Sequence, residues 1–195
     1  ILSSSMVSGP ESKRYISKKQ TEYYDLPSCN LFIKKNIFKE VGGFNTAFWP
    51  CEDTKLCLDI KKLGKKIIYD PKIIVYHHKR RDLKGYLKQI FSYATHRGYF
   101  MKKYPKTSLK IRYLIPSAFL LGLIAGPSLF YFKILKIAYL SVISIYLLLL
   151  IISSLRTKKA VMIAPFILLS FITHLTYGIG IIKGLLKLNL KSKIR

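Results

Sequence analysis

The chain has 195 residues, a formal net charge of +25 and 50% apolar residues. This excess of lysine and arginine favours an anionic partner such as a nucleic acid, a lipid headgroup or a nucleotide diphosphate. A genome-wide bias towards lysine is the alternative explanation. The sequence has no zinc-finger spacing, no aromatic RNA-binding signature and no helix-turn-helix pattern, which disfavours a nucleic-acid binder. Its three cysteines form no C-x-x-C pair, which disfavours a disulfide framework and a zinc site.

The first 112 residues are polar and basic, and their pattern predicts short mixed elements. Residues 1–22 show no hydrophobic periodicity and are predicted as a loop. Glu52-Asp53-Thr54 is predicted to begin a helix in which Leu56, Ile60 and Leu63 share a face, and Gly64 is predicted to end it. A strand is predicted at 29–34, and 67–69 and 73–76 are predicted as two short strands or one kinked strand, with one helical turn at 36–41.

Residues 83–100 form the most amphipathic stretch, with Leu83, Leu87 and Ile90 on one face. The pattern fits an ordinary surface helix, or a helix in the membrane interface whose cations face lipid phosphates. The chain after residue 112 is mostly apolar, and three segments have the roughly 20 residues that a membrane crossing needs. These segments are 113–132, 134–155 and 160–182.

The number of membrane crossings is open at this point. Pro116 and Pro127 interrupt the first segment, so a re-entrant loop is an alternative to a crossing. Three crossings would place the tail 183–195 on the opposite side of the membrane from the polar half. That tail is basic, and the positive-inside rule would keep it in the cytoplasm. An even number of crossings would remove the conflict.

The adjacent acids Glu52 and Asp53 are the best candidates for chemistry. A pair of acids at a helix start most often only stabilises the helix dipole. Here the pair follows a Gly-Gly-Phe motif at Gly42-Gly43-Phe44 and an aromatic loop, and Asp70-Pro71 comes after the helix. A carboxylate at a helix start that faces a cleft can act as a general base.

The order of these motifs resembles the family 2 glycosyltransferases, which have the GT-A fold. The resemblance covers about residues 24–186, and the chain departs from the usual pattern at Lys55, Asp59 and Ala94. The residues that carry it are Cys29-Asn30, Lys34-Lys35, Val41-Gly42-Gly43-Phe44-Asn45, Glu52-Asp53, Leu56, Gly64, Tyr69-Asp70-Pro71, Val75-Tyr76-His77, Gln89, Tyr93, His96-Arg97-Gly98, Tyr104-Pro105, His174, Tyr177, Gly178, Gly180 and Gly184.

The resemblance implies an α/β fold class: the acceptor-side half of a GT-A nucleotide-diphospho-sugar transferase domain, followed by transmembrane α-helices. Residues 1–106 would belong to the catalytic domain, including the amphipathic helix at 83–100. Residues 107–195 would form the membrane domain with its basic tail. The family's metal-binding D-x-D lies upstream and does not occur in this sequence, so we expect a fragment without the donor half. A divalent metal, Mn²⁺ or Mg²⁺, would be bound mainly by that half.

The same resemblance assigns roles to individual residues. Asp53 would be the general base of an inverting transfer, and Glu52 would support it. Expected substrate-binding residues are Trp49, Asn30, His77, Gln89 and Arg97, and His77 is also a candidate metal ligand. Four of them have a plainer alternative: Trp49 as a packing anchor, His77 as a structural or surface histidine, and Gln89 and Arg97 as solvated or lipid-facing groups.

The sequence therefore predicts transfer of a sugar from a nucleotide-sugar donor to a saccharide or lipid-linked acceptor, in polysaccharide or glycolipid synthesis. The expected location is the plasma membrane, with several crossings, contacts with anionic headgroups and the catalytic part facing the cytoplasm. Nucleic acid is not an expected partner. The alternative is a basic membrane anchor or scaffold without catalysis. A transporter fragment is disfavoured, because His174 is the only ionisable residue other than tyrosine well inside a segment.

Overall fold

The computed structural model describes residues 19–49, 51–76, 82–157 and 159–187, without the side chains of Lys106 and Thr107. Two strands and seven α-helices are found in this part of the chain, together with several 3₁₀ turns. The strands are β1 (Thr21–Tyr23) and β2 (Ile67–Tyr69). The helices are α1 (Lys35–Glu40), α2 (Glu52–Lys62), α3 (Leu83–Lys103), α4 (Pro105–Ser108), α5 (Ile115–Ala125), α6 (Lys133–Leu155) and α7 (Ile163–Leu186).

The predicted α/β GT-A fold is wrong for this structure. The described residues are 72% helical, with 3₁₀ turns included. They contain one sheet of two antiparallel three-residue strands, with Thr21 opposite Tyr69. The predicted strand at 29–34 begins instead as a 3₁₀ turn, Ser28–Asn30. The side-chain amide of Asn30 donates to the carbonyl of Ile73 at 3.1 Å, and so occupies an acceptor that a strand pair would need.

The predicted strand at 73–76 is also absent, because a turn precedes it. The N–H of Ile73 donates to the carbonyl of Asp70 at 3.2 Å, which closes the chain on itself after Pro71. The Asp70 carboxylate accepts from the N–H of Lys72 at 2.9 Å and stabilises the same turn. Short apolar runs in this region therefore become turns and irregular chain rather than the strands of a larger sheet.

Helix α2 begins at Glu52 and ends before Gly64, as the sequence predicts. Gly64 has φ +71°, a left-handed conformation that glycine adopts without a steric penalty. One face of α2 buries Leu56, Cys57 and Ile60 against β2. Leu58, on another face, packs with Phe48, Cys51, Tyr99 and Phe100. Helix α2 therefore joins the small sheet to α3.

Helix α3 is not a free surface helix, because it packs closely along α7. The Tyr86 and Thr173 hydroxyls lie 3.1 Å apart near the start of this contact, and the Lys102 ammonium contacts the Lys187 carbonyl at its end. From the first contact to the second, residue numbers increase along both helices, so α3 runs parallel to the C-terminal half of α7.

Glycines allow this close packing between α3 and α7. A Cβ on Gly98 would lie 2.3 Å from the Ile181 carbonyl oxygen, and one on Gly184 would lie 2.0 Å from the Thr95 carbonyl oxygen. Gly180 and Gly184 are four residues apart, the small-residue spacing that lets helix backbones approach in membranes.

Helices α6 and α7 are long and apolar enough to cross a membrane by length and composition. Only 6% and 17% of the residues in their most apolar windows are buried, whereas core helices of a soluble protein would be mostly buried. The first predicted segment, 113–132, folds as the shorter α5 followed by a 3₁₀ turn at Gly126–Tyr131.

Helices α6 and α7 form an antiparallel hairpin. A short connection after Leu155 joins them. The Tyr146 hydroxyl lies 2.9 Å from Nδ1 of His174, and the two residues are a similar number of residues away from that connection. Phe119 of α5 packs against Tyr146 and Phe171, with ring centroids 4.4 and 6.2 Å away. The C-terminal half of α7 therefore contacts α3 and α5 on either side.

Candidate active site

Asp53 lies in the first turn of α2, where the helix dipole favours a negative charge. One carboxylate oxygen accepts from the N–H of Thr54 at 2.7 Å, and the other accepts from the N–H of Ser28 at 3.3 Å. These two backbone donors hold the carboxylate in one orientation. Its position is therefore set by α2 and by the 3₁₀ turn after β1.

Asp25, which the sequence did not single out, belongs to the same cluster. The Thr54 hydroxyl lies 3.1 Å from both of its carboxylate oxygens, and Nη2 of Arg97 lies 3.5 Å from one of them. The chain has nine acids, and three of them, Asp25, Glu52 and Asp53, lie in this region. The only signal in the sequence was the scarcity of acids, nine against 34 lysines and arginines.

The surroundings of Asp53 favour its protonated form. Burial raises the pKa of the Asp53 carboxyl, the charge of Asp25 raises that pKa further, and the hydrogen bonds from Thr54 and Ser28 oppose the rise. A higher pKa makes the carboxylate a stronger base, closer to the pH at which a cell operates. This is the direction that a general base requires.

Arg97 connects α3 to the acid cluster and to the chain before α5. Its Nη1 donates to the Tyr113 hydroxyl at 3.0 Å, and its guanidinium lies 4.6 Å from the centre of the Tyr113 ring. The Arg97 side chain is 27% exposed, and that of Asp25 is 32% exposed. The lipid-facing alternative for Arg97 is therefore wrong, because its contacts are with Tyr113 and Asp25.

Gln89 and Tyr93 lie one helical turn apart on α3. The Gln89 side-chain amide donates to the Tyr93 hydroxyl at 3.3 Å. Burial raises the pKa of Tyr93, the hydrogen bond from Gln89 opposes this, and the charges of Asp53 and Glu52 raise it further. Tyr93 thus lies within electrostatic range of the acid pair, and Gln89 is hydrogen-bonded to it.

Trp49 is 52% exposed at the end of the aromatic loop, where the packing role would have buried it. Its backbone contacts the ring of His96, which is buried on α3. Nδ1 of His96 lies 2.8 Å from the carbonyl of Ser92, to which it donates. Burial lowers the pKa of His96, and the hydrogen bonds of its ring with the Ser92 and Trp49 backbones oppose this shift, so the ring links α3 to the loop that presents Trp49.

Two buried oxygens near the acid cluster have no hydrogen-bond partner within the described residues. They are Oδ1 of Asn30 and Oε2 of Glu52. The amide of Asn30 is already fixed by its bond to Ile73, so Oδ1 is held in place as an acceptor. A buried acceptor without a partner lowers the stability of a folded protein, and such atoms are often found where a water, an ion or a ligand binds.

His77 lies outside the described residues, so its expected roles in substrate binding and metal binding stay predictions. Among the described residues no group of three or more histidine, cysteine or acidic side chains is placed to hold a metal ion. Asp25 is engaged by Thr54 and Arg97, and Asp53 by two backbone amides. The described acids therefore do not fit a Mn²⁺ or Mg²⁺ site, and the expected metal stays a prediction.

Comparison with known proteins relates the chain to sugar-transferring enzymes. Over 146 residues it is 31% identical to the dolichyl N-acetyl-alpha-D-glucosaminyl phosphate 3-beta-D-2,3-diacetamido-2,3-dideoxy-beta-D-glucuronosyltransferase of Methanococcus voltae. This alignment covers 75% of the chain and 42% of that relative, so the chain spans less than half of the relative's length. No protein-family model matches the chain, and no solved structure matches it. The chain thus has a glycosyltransferase as a homologue, and by its name that enzyme acts on a lipid-linked acceptor.

Proposed function

We propose that this protein transfers a sugar from a nucleotide-sugar donor to a lipid-linked saccharide acceptor at the cell membrane. The proposal depends on Asp53, a partly buried carboxylate that is held at the start of a helix by two backbone amides. Burial and the charge of Asp25 both raise the pKa of this carboxyl. The homologous glycosyltransferase supports the reaction class. The order of motifs in the sequence supports membership of family 2.

Asp53 would act as the base of an inverting transfer. Its carboxylate takes the proton of an acceptor hydroxyl while that oxygen forms a bond to the anomeric carbon of the donor sugar. The bond from the anomeric carbon to the diphosphate breaks in the same step, and the nucleoside diphosphate leaves with the bonding electrons. The proton ends on Asp53, so charge and atoms balance.

Neighbouring residues would orient the acceptor. Oε2 of Glu52 and Oδ1 of Asn30 are buried and have no partner among the described residues, and we propose that they accept from sugar hydroxyls once their side chains turn towards the acceptor. The exposed ring of Trp49 offers a flat apolar face for a sugar ring. Gln89 and Arg97 lie on α3, which borders the acid cluster, and Arg97 balances the charge of Asp25.

We also propose that the chain crosses the membrane twice, through α6 and α7. Because these helices form an antiparallel hairpin, the start of α6 and the end of α7 lie on one side. The end of α7 contacts Lys102 of α3, and the end of α3 packs on the polar part through Phe48 and Phe100, whose ring centroids are 5.3 Å apart. Two crossings would therefore put the basic tail on the same side as the polar half, and we propose that this side is the cytoplasm. The connection carries three cations, Arg156, Lys158 and Lys159, fewer than the polar half and the tail together, so the positive-inside rule favours this orientation.

The substitution Asp53→Asn in membranes from cells that express the protein tests the catalytic proposal. We expect transfer of labelled sugar into the lipid fraction to fall by roughly 10²–10⁴-fold, the usual cost of losing a general base. The matched control is Asp59→Asn on the same helix, whose carboxylate pairs only with Lys55 and Lys62 among the described residues. Near-normal transfer by Asp53→Asn would contradict the assignment and favour the non-catalytic anchor.

A further inference from the structure

A groove lies between α5 and the C-terminal end of α7. It has a volume of about 390 Å³, within the range of small-molecule sites. Its lining is mainly apolar surface, formed by four aliphatic side chains and two lysines: Leu120, Ile179, Ile182, Lys183, Leu186 and Lys187. The groove thus has an apolar wall with two lysines at one end, which suits an amphiphile with a single anionic head.

The cations at this groove have no acidic partners nearby in the sequence. All nine acids of the chain precede Leu83, so α3, α5, α6 and α7 contain no aspartate or glutamate, whereas α3, α6 and α7 contain lysines. The Lys102 ammonium contacts the Lys187 carbonyl and brings a third positive charge to the same end. The Lys183 ammonium lies 5.0 Å from the centre of the Phe91 ring, at the boundary between α7 and α3. An anion bound here would meet uncompensated positive charge on several sides.

The cationic end of the groove is close to the candidate active site. The end of α7 lies against α3 beside His96, since the Lys102 ammonium contacts the Lys187 carbonyl and Gly184 packs against the backbone of Thr95. His96 contacts the backbone of Trp49, and the next residue is Arg97. A molecule whose head lies at Lys187 can therefore extend towards the face of α3 that borders Asp53.

We propose that this groove binds the lipid phosphate of a polyprenyl-phosphate-linked acceptor, with the prenyl chain along Ile179 and Ile182 and the phosphate at Lys183 and Lys187. The proposal rests on the proposed function, because it locates the acceptor of that reaction. An ordinary anionic phospholipid shares the same chemistry. The polyprenyl phosphate is the better occupant because its phosphate is joined directly to the sugar, which places the sugar on the active-site side of the groove.

Binding can be measured without turnover. The full protein, in nanodiscs of zwitterionic lipid, is photolabelled with a diazirine-bearing polyprenyl phosphate. We expect Lys183→Gln/Lys187→Gln to weaken labelling by at least about tenfold, since charge-assisted contacts to phosphate are among the strong ones. The matched control Lys133→Gln/Lys136→Gln removes the same charge at the start of α6, outside the groove lining, and should label normally. Normal labelling of the first variant, or an equal loss in both, would overturn the proposal.

A second variant and a competitor separate the prenyl chain from the headgroup. Ile182→Trp fills the apolar wall and keeps both lysines, so we expect it to weaken labelling as well. Equimolar phosphatidylglycerol should not displace the probe, and full displacement would assign the groove to ordinary anionic lipid. The Asp53→Asn variant should be labelled normally. Its loss of sugar transfer therefore tests the catalytic proposal, whereas the loss of labelling in the lysine variant tests the binding groove.

Discussion

At the scale of single residues, the candidate site depends on two carboxylates that repel each other and on the arginine that keeps them together. Asp25 raises the pKa of Asp53, while Arg97 lies 3.5 Å from Asp25 and reduces the net negative charge. Arg97 is also tied to Tyr113, so its position is independent of the acids. The arrangement allows a more basic Asp53 without leaving Asp25 unpaired.

This arrangement predicts how activity depends on pH. A base works when it is deprotonated, so activity falls as the pH is lowered through the pKa of Asp53. Because burial and Asp25 raise that pKa, the fall comes at a higher pH than for an ordinary aspartate. Asp25→Asn should move the acidic limb of the kcat/KM profile to lower pH.

The control for this prediction is Asp70→Asn. The Asp70 carboxylate accepts from Gln20 and from the N–H of Lys72, and belongs to the turn after β2 rather than to the acid cluster. The Asp70→Asn substitution should leave the acidic limb of the profile at the same pH. An unchanged limb in Asp25→Asn would show that Asp25 does not act on the base.

The sequence identified some of these residues and could not identify others. Glu52 and Asp53 stand out because they begin a helix after a Gly-Gly-Phe motif, which is local information. Asp25 is distant in sequence from both, and only the fold of the 3₁₀ turn after it brings its carboxylate to the hydroxyl of Thr54. Tertiary contacts of this kind leave no periodic pattern in the chain.

At the scale of elements, the contact between α3 and α7 positions the site. Gln89, Tyr93 and Arg97 are all on α3, and α3 is held against α7 at Gly98 and Gly184. The amphipathic pattern of 83–100 predicted an apolar face but not what covers it. The paired glycines of α7 were visible in the sequence, yet their partner helix was not, because close backbone packing depends on two surfaces that fit each other.

The substitution Gly184→Ala should separate the two helices. Its Cβ would meet the Thr95 carbonyl oxygen at 2.0 Å, a backbone atom that cannot turn aside. We expect a loss of about 1–3 kcal/mol in the free energy of unfolding, as for other overpacked sites. Gly122→Ala on α5 is the control, because nothing lies within 4 Å of its new Cβ. Thermal melting in detergent compares the two, and an equal melting temperature would contradict the close packing.

At the scale of the whole molecule, the sequence predicted the polar half and the apolar half but not the fold class. Motif order implied part of an α/β domain, whereas the described residues form two short strands and a mainly helical structure. Short apolar runs are ambiguous because strands need partners to form, and here side chains such as Asn30 occupy the backbone acceptors. Long apolar segments are less ambiguous, and α6 and α7 lie where 134–155 and 160–182 were predicted.

The proposed two-crossing arrangement predicts which residues are accessible from outside the cell. A membrane-impermeant thiol reagent applied to intact cells should label Thr157→Cys, in the connection between α6 and α7. The exposed Cys29 and a cysteine added at the C-terminus should react only after the cells are opened. Cys29→Ser serves as the background for both introduced cysteines. Labelling of the C-terminal cysteine on intact cells would contradict the arrangement.

The glycines between α3 and α7 also have a genetic consequence. Any missense change in a glycine codon adds at least a methyl group, and at Gly98, Gly180 and Gly184 that group would lie within 2.5 Å of a neighbouring atom. The outward residues of α6 meet no such neighbour, and one aliphatic side chain there can replace another at little cost. Sequence drift among the long apolar helices should therefore be concentrated on α6, while the face of α7 that packs on α3 changes slowly.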